Sequence, residues 1–215
     1  MRVYTTLRGR FGFQDWWSGD TADEILVGVV LTQQTSWKNV ERALTNLKDA
    51  GMLSIEKLAV ADLKMLERLV KPCGFYRQKA VRIRNISSYI LANHKGMTGL
   101  LRRRAGALRR ELLSLDGVGE ETADAVALYA GNKRTFVVDA YTRRIIGRLY
   151  GIDTGISYGK MQCLITDNID NRLAVYKDLH AQFVELGKRF CRTRPLCRTC
   201  PLNEGCGSFK LLSER

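Results

Sequence analysis

The stretch ALRRELLSLDGVGEETADAVALYAGN, residues 107–132, decides how the rest of the chain is read. An amphipathic helical pattern runs into Leu115-Asp116-Gly117-Val118-Gly119, and a second helical pattern follows at once. Two glycines around one apolar residue allow a tight turn that leaves backbone N–H groups uncovered. The second helix starts there, so its unpaired N–H groups and the positive end of its dipole gather at the same place. Such a corner can hold a phosphate without any basic side chain. An ordinary turn between two helices carries the same signature. Gly117, Val118 and Gly119 are therefore candidate contacts to a polyanion, and the charge of the whole chain favours that reading. Thirty-five Lys and Arg face 22 Asp and Glu, a formal charge of +13.

Outward from the hairpin the periodicity stays helical. The 215 residues hold only three prolines, and Pro195 and Pro201 both lie near the C-terminus. Thr21-Ala22-Asp23-Glu24 reads as a capping box opening an apolar helix through Leu31. Ser36 is placed to cap the next helix, which Gly51 stops. Short helices at 54–60 and 62–70 end at Pro72, and a longer one covers about 76–94. Further helical patterns span 106–114, 119–131, 139–150, 156–168 and 174–190. Only Thr135-Phe136-Val137-Val138 looks extended, and it is too short to build a sheet. The expected fold class is all-α. A composition of 45% hydrophobic and 27% charged residues excludes wholesale disorder. No apolar run reaches membrane-spanning length. The first residues lack the apolar core of a secretory signal, so an intracellular protein is expected.

Two further features carry chemistry. Asp139 follows the extended segment and precedes a helix, a position that suits an N-cap as well as a reacting carboxylate. Four of the six cysteines stand close together as Cys191, Cys197, Cys200 and Cys206, spaced C-x5-C-x2-C-x5-C. Clustered cysteines in an intracellular chain point to metal ligation rather than disulfides. Their spacing alone suits zinc or an iron–sulfur cluster about equally. His94 and His180 show no metal spacing and read as ordinary residues. Lys79, Arg82, Arg84, Arg102–Arg104, Arg109 and Arg110 add to the basic total without an assigned contact.

Together the hairpin and the aspartate resemble the helix-hairpin-helix superfamily of DNA glycosylases, the endonuclease III family. LDGVGEETA, Leu115–Ala123, resembles the family hairpin L-P-G-[VI]-G-x-x-T-A, and Thr135–Asp139 resembles the segment that ends in the family's catalytic aspartate. Leu31-Thr32-Gln33-Gln34-Thr35 looks like the helix end that carries a glutamine wedge, here Gln34. The cysteines look like the family's 4Fe–4S loop, with a first interval one residue shorter. The resemblance covers roughly residues 20–206. It implies a two-lobed fold: a six-helix barrel lobe at 22–133, and a cluster lobe made of 1–21 and 134–215.

Departures from the family sharpen the expected activity. Where bifunctional members carry a lysine, two residues after the second hairpin glycine, this chain has Glu121. A carboxylate cannot form an imine, so a monofunctional glycosylase is favoured. Acids in a helix's first turn also suit its dipole, so Glu120 and Glu121 have a structural reading beside a catalytic or substrate-contact one for Glu121. The 3-methyladenine DNA glycosylase III type shares this glutamate and carries tandem tryptophans, as Trp16-Trp17 do here. An indole face attracts a cationic alkylated base, although a tryptophan equally anchors a chain segment to a core. The resemblance thus implies a base excision repair enzyme. It would bind double-stranded DNA containing a damaged base as a monomer, flip the base out against Gln34, stack it on Trp16 or Trp17 and hydrolyse its bond with Asp139. A prokaryotic cytoplasm, no membrane partner and a 4Fe–4S cofactor complete the expectation. Rival readings are a bifunctional glycosylase/lyase for oxidised pyrimidines, a mismatch thymine or uracil glycosylase, and a non-catalytic lesion-binding protein.

Overall fold

The computed structural model of the chain describes residues 2–14, 19 and 21–213. In chain order its helices are α1 (Arg2–Phe11), α2 (Ala22–Thr32), α3 (Trp37–Asp49), α4 (Ile55–Ala59), α5 (Leu63–Val70), α6 (Tyr76–His94), α7 (Met97–Leu101), α8 (Ala105–Leu113), α9 (Glu120–Ala125), α10 (Ala140–Tyr150), α11 (Tyr158–Thr166), α12 (Leu173–Arg189) and α13 (Gly207–Ser213). No β-strand occurs among the described residues, and the fold is all-α as expected. No described helix is long and apolar enough to cross a membrane. The chain divides into two compact units, Trp17–Lys133 on the one hand and Met1–Trp16 with Arg134–Arg215 on the other.

In the unit Trp17–Lys133, α2 is the core helix. Every residue from Ile25 to Leu31 is buried, as a helix without a polar face must be. Thr21 caps it, its hydroxyl accepting from Glu24 N at 3.1 Å. The Glu24 side chain pairs with Lys48 Nζ of α3 at 2.8 Å. Asp23 reaches out of the first turn to accept from Ile55 N at 2.9 Å, which ties the start of α4 to α2. Ser36 stands at the N-cap of α3 but makes no side-chain capping bond. Its backbone carbonyl takes the N–H groups of Asn39 and Val40 instead. Helix α7 is a five-residue turn that the sequence pattern does not separate from its neighbours.

The other unit is built round Phe136, which is fully buried. The rings of Tyr176, His180 and Phe183 on α12 stand edge-on to it, with centroids 6.1, 6.2 and 6.4 Å away. The segment Thr135–Val138 forms neither helix nor strand, so side chains must satisfy its backbone. Gln162 Nε2 donates to Phe136 O at 2.6 Å, and Val138 N donates to Tyr158 Oη at 3.1 Å. Helix α1 is hidden in the sequence by its arginines, yet Tyr4 and Leu7 form a buried stripe. A buried carboxylate, Asp178 of α12, accepts from Tyr4 Oη and from Gln14 N, both at 2.8 Å. That one group holds both α1 and the segment after it.

Candidate functional site

Within the unit Trp17–Lys133, the hairpin joins α8 to α9. Gly117 has φ +74°, and a Cβ there would lie 2.2 Å from Arg82 Nε. The left-handed backbone demands glycine, while the Arg82 side chain could swing aside for a methyl group. Gly119 differs: its φ is −89°, and a Cβ would meet nothing within 4 Å. The fold of this unit has no use for its missing side chain. Val118 is buried and its N–H donates to Leu115 O at 3.1 Å, so neither its side chain nor its N–H faces a ligand. Arg109 of α8 clamps the hairpin, donating to the fully buried Asp124 at 2.9 Å and to Glu120 at 3.1 Å. Glu120 therefore acts as an ion-pair partner within the hairpin. Glu121 is exposed on the first turn of α9.

The end of α2 is locked onto this hairpin by Gln33. Its amide donates to Gly117 O at 2.9 Å and lies 3.2 Å from Thr122 Oγ1, while Arg82 donates to its carbonyl at 2.9 Å. Gln34, the next residue, is exposed and held at φ +54°. Left-handed backbone is uncommon for a residue with a side chain and stores strain. A second such corner is Phe75, at φ +45° and 62% exposed. Nothing in helical periodicity marks it; its only signal is a Gly-Phe pair between Pro72 and a helix.

One buried lysine serves both corners. Lys79 is 1% exposed, and its Nζ donates to Leu31 O at 3.0 Å and to Cys73 O at 2.8 Å. These carbonyls stand just before the Gln34 and Phe75 corners. Burial pushes the Lys79 ammonium below its ordinary pKa, and the two carbonyls supply part of the solvation that burial removes.

In the other unit, Asp139 caps α10, with Oδ1 accepting from Thr142 N at 2.7 Å. The capping reading thus holds, yet it uses one oxygen. Oδ2 lies 3.7 Å from Nε2 of His180, a residue the sequence left as ordinary. The two side chains are 13% and 4% exposed. Burial pushes the Asp139 carboxyl up, but the His180 imidazole and the Thr142 donors outweigh it and hold the group below its ordinary pKa. The arrangement is a nearly dry carboxylate kept in its charged form.

The four cysteines of the same unit line one cavity of about 220 Å³, together with Phe190, Pro195 and Phe209. Among the described residues no three Cys, His, Asp or Glu stand close enough to hold a single metal ion. A zinc site needs all its sulfurs about 2.3 Å from one centre. The four thiols line this cavity without converging on one metal position. Arginines of α10 tie the loop down: Arg144 donates to Cys191 O at 2.7 Å, and Arg148 donates to Arg192 O at 2.6 Å and Thr193 O at 3.1 Å. Arg148 also lies 3.5 Å from Cys191 Sγ. Trp16 and Trp17 lie outside the described residues.

A hairpin between two helices, an aspartate capping the helix after an extended segment, and a cysteine loop near the C-terminus define a helix-hairpin-helix repair protein. Residues 27–170 match the profile of the HhH-GPD superfamily base excision DNA repair proteins. The chain belongs to that family, the endonuclease III superfamily. A protein of Methanocaldococcus jannaschii, provisionally described as a DNA repair glycosylase, is 42% identical over 95% of this chain and 94% of its own. Among solved structures, the chain is similar to a Helicobacter pylori 3-methyladenine DNA glycosylase bound to 1,N6-ethenoadenine. Identity there is 28% and the TM-score 0.76, with 87% of this chain and 96% of that one covered. A non-covalent endonuclease III–DNA complex shares the fold at a TM-score of 0.85 and 22% identity, covering 100% and 96%. The fold and family are those of a base excision repair DNA glycosylase.

The two hairpin glycines should respond differently to a methyl group. Gly117→Ala sets a Cβ against Arg82 at a left-handed φ, so thermal denaturation should show a loss of about 1–3 kcal/mol. Gly119→Ala should melt within about 0.5 kcal/mol of the unaltered protein. Equal losses at the two positions would contradict the assignment.

Proposed function

We propose that the protein is a monofunctional DNA N-glycosylase that releases alkylated purines of the 3-methyladenine kind from double-stranded DNA. The observation that carries this reading is that position 121 holds a glutamate where an imine-forming lysine would stand, in a chain whose Asp139 is held below its ordinary pKa. Likeness to a 3-methyladenine DNA glycosylase at 28% identity supports the substrate class.

The chemistry follows from the residues. Flipping a nucleotide out of a duplex costs a few kcal/mol of stacking and pairing. Gln34 and Phe75 are exposed and already strained into position, which suits them to fill the gap and to hold the neighbouring base step. Gly119 offers an open approach for phosphate, and the net charge of +13 supplies salt-sensitive attraction. An alkylated purine is already cationic and leaves readily. The sugar then carries oxocarbenium character. Asp139 stabilises that cation and orients, or takes a proton from, the attacking water. Trp16 and Trp17 are proposed to stack on the cationic base, and Glu121 to contact it or the sugar next to it. Cys191, Cys197, Cys200 and Cys206 would hold a 4Fe–4S cluster, whose contribution would be to brace the loop carrying Arg192, Arg194 and Arg198. The expected setting is a monomer on DNA in a prokaryotic cytoplasm.

Single-turnover assays on methylated duplex DNA test the proposal. Free 3-methyladenine should appear, strand breaks should need alkali, and borohydride should trap no adduct. Asp139→Asn should slow release by about 10²–10³-fold while DNA stays bound, and Gly119→Ala should weaken DNA binding. A trapped covalent adduct would contradict the monofunctional reading. Protein purified without chelators should be brown, with four iron atoms per chain and none left after oxidative removal of the cluster. Stoichiometric zinc in place of iron would overturn the cluster assignment.

A further inference from the structure

We infer that His180 is a positioning residue for Asp139, fixing the orientation of Oδ2, the oxygen that the helix-capping bond leaves for chemistry. The inference rests on the reading of Asp139 as the reacting carboxylate and adds a residue to that site.

The geometry carries it. Asp139 has two oxygens and two tasks. Oδ1 is committed to Thr142 N at 2.7 Å, and the Thr142 side chain adds to the hold on the carboxylate, both from α10 itself. The Nε2 of His180 faces Oδ2 at 3.7 Å, beyond hydrogen-bond length but close enough for a strong charge interaction where water is scarce. A small rotation of either side chain closes the gap. His180 is itself fixed: it sits on the 17-residue helix α12 with its ring edge-on to the fully buried Phe136. The opposite side of the same helix is anchored as well, through Asp178 and its bonds to Tyr4 and Gln14. An imidazole in an aromatic box has given up much of its hydration, and the nearby carboxylate restores part of it.

The groups that face this site come from three helices. They are His180 of α12, Thr142 of α10 and, one residue before Asp139, Tyr158 of α11, whose hydroxyl accepts from Val138 N. Of these, His180 and Thr142 oppose the upward push of burial on Asp139. Asp139 is active when ionised, so activity falls as pH drops through its pKa. Without the imidazole, burial remains and the pKa rises, which moves the acid limb of the rate profile to higher pH. An N-alkylated purine owes its charge to the alkyl group, not to a proton, so that limb reports on the enzyme.

The test compares His180→Phe, His180→Gln and Asp139→Asn by single-turnover release of 3-methyladenine across pH, with DNA affinity and melting temperature measured on each. Phenylalanine keeps the ring contact with Phe136 and removes the polar atom. Release should slow about 10–100-fold, the scale seen when a residue that orients a reacting group is lost, with DNA affinity unchanged. Glutamine returns an N–H near the position of Nε2 without the imidazole ring. At the alkaline plateau its rate should stay within about fivefold of the unaltered enzyme, while the acid limb moves up as in the phenylalanine variant. Wild-type rate and acid limb in His180→Phe, with Asp139→Asn inactive, would overturn this inference alone. Equal plateau losses in both His180 variants would do the same, by showing that ring packing is what matters. If His180→Phe melts early, His180→Gln decides: an unmoved acid limb overturns the inference. Full activity in Asp139→Asn would overturn the reading of Asp139 itself, and this inference with it.

Discussion

A carboxylate that stays charged while almost out of water is the constraint on which the unit carrying Asp139 turns. Asp139 is 13% exposed, and a lone carboxylate so placed would take up a proton. Its two oxygens escape that fate in different ways. One completes the first turn of α10 through Thr142, and the other faces His180. Beside this pair, the fully buried Phe136 stands edge-on to the His180 ring. The same helix that brings His180 also brings Asp178, which holds α1 and the chain up to Gln14. Capping leaves room for a second task at Asp139, because a helix N-cap is already a place where negative charge is favoured.

The unit Trp17–Lys133 solves a related problem with the opposite sign. Here the buried group is the Lys79 ammonium, and it holds carbonyls rather than a reacting residue. Those carbonyls precede Gln34 and Phe75, two exposed side chains on left-handed backbone. Strain of this kind persists only where the surroundings over-determine it. Gln33 contributes the rest, tying the Gln34 corner to the hairpin through Gly117 and Arg82. In this unit one buried cation thus helps to fix two exposed corners.

What the sequence reveals and what it hides follow one physical line. The hairpin, Asp139 and the four cysteines are local patterns, and local spacing is what a sequence displays. Most helices are legible too, because α3, α6 and α12 are long enough to show a period. The missed features are long-range. Lys79 meets a carbonyl 48 residues away, and Gln33 meets one 84 residues away. His180 looked ordinary because its partner belongs to a different helix. Arg109 and Glu120 were read as a surface charge and a dipole effect, and only the folded hairpin makes them a clamp with Asp124. Phe75 gave no periodic signal, since a strained corner belongs to no period.

The ionisation of Asp139, on which this site depends, is directly measurable. Carbon-13 labelling of the aspartate side-chain carboxyls, with the Asp139 resonance assigned by its loss in Asp139→Asn, gives its titration by NMR in the intact protein without DNA. The carboxyl should remain ionised below the ordinary aspartate range, the direction that His180 and Thr142 impose. A titration midpoint at or above the ordinary value would mean that burial wins, and that the carboxylate on which this site is built is not held charged by its neighbours.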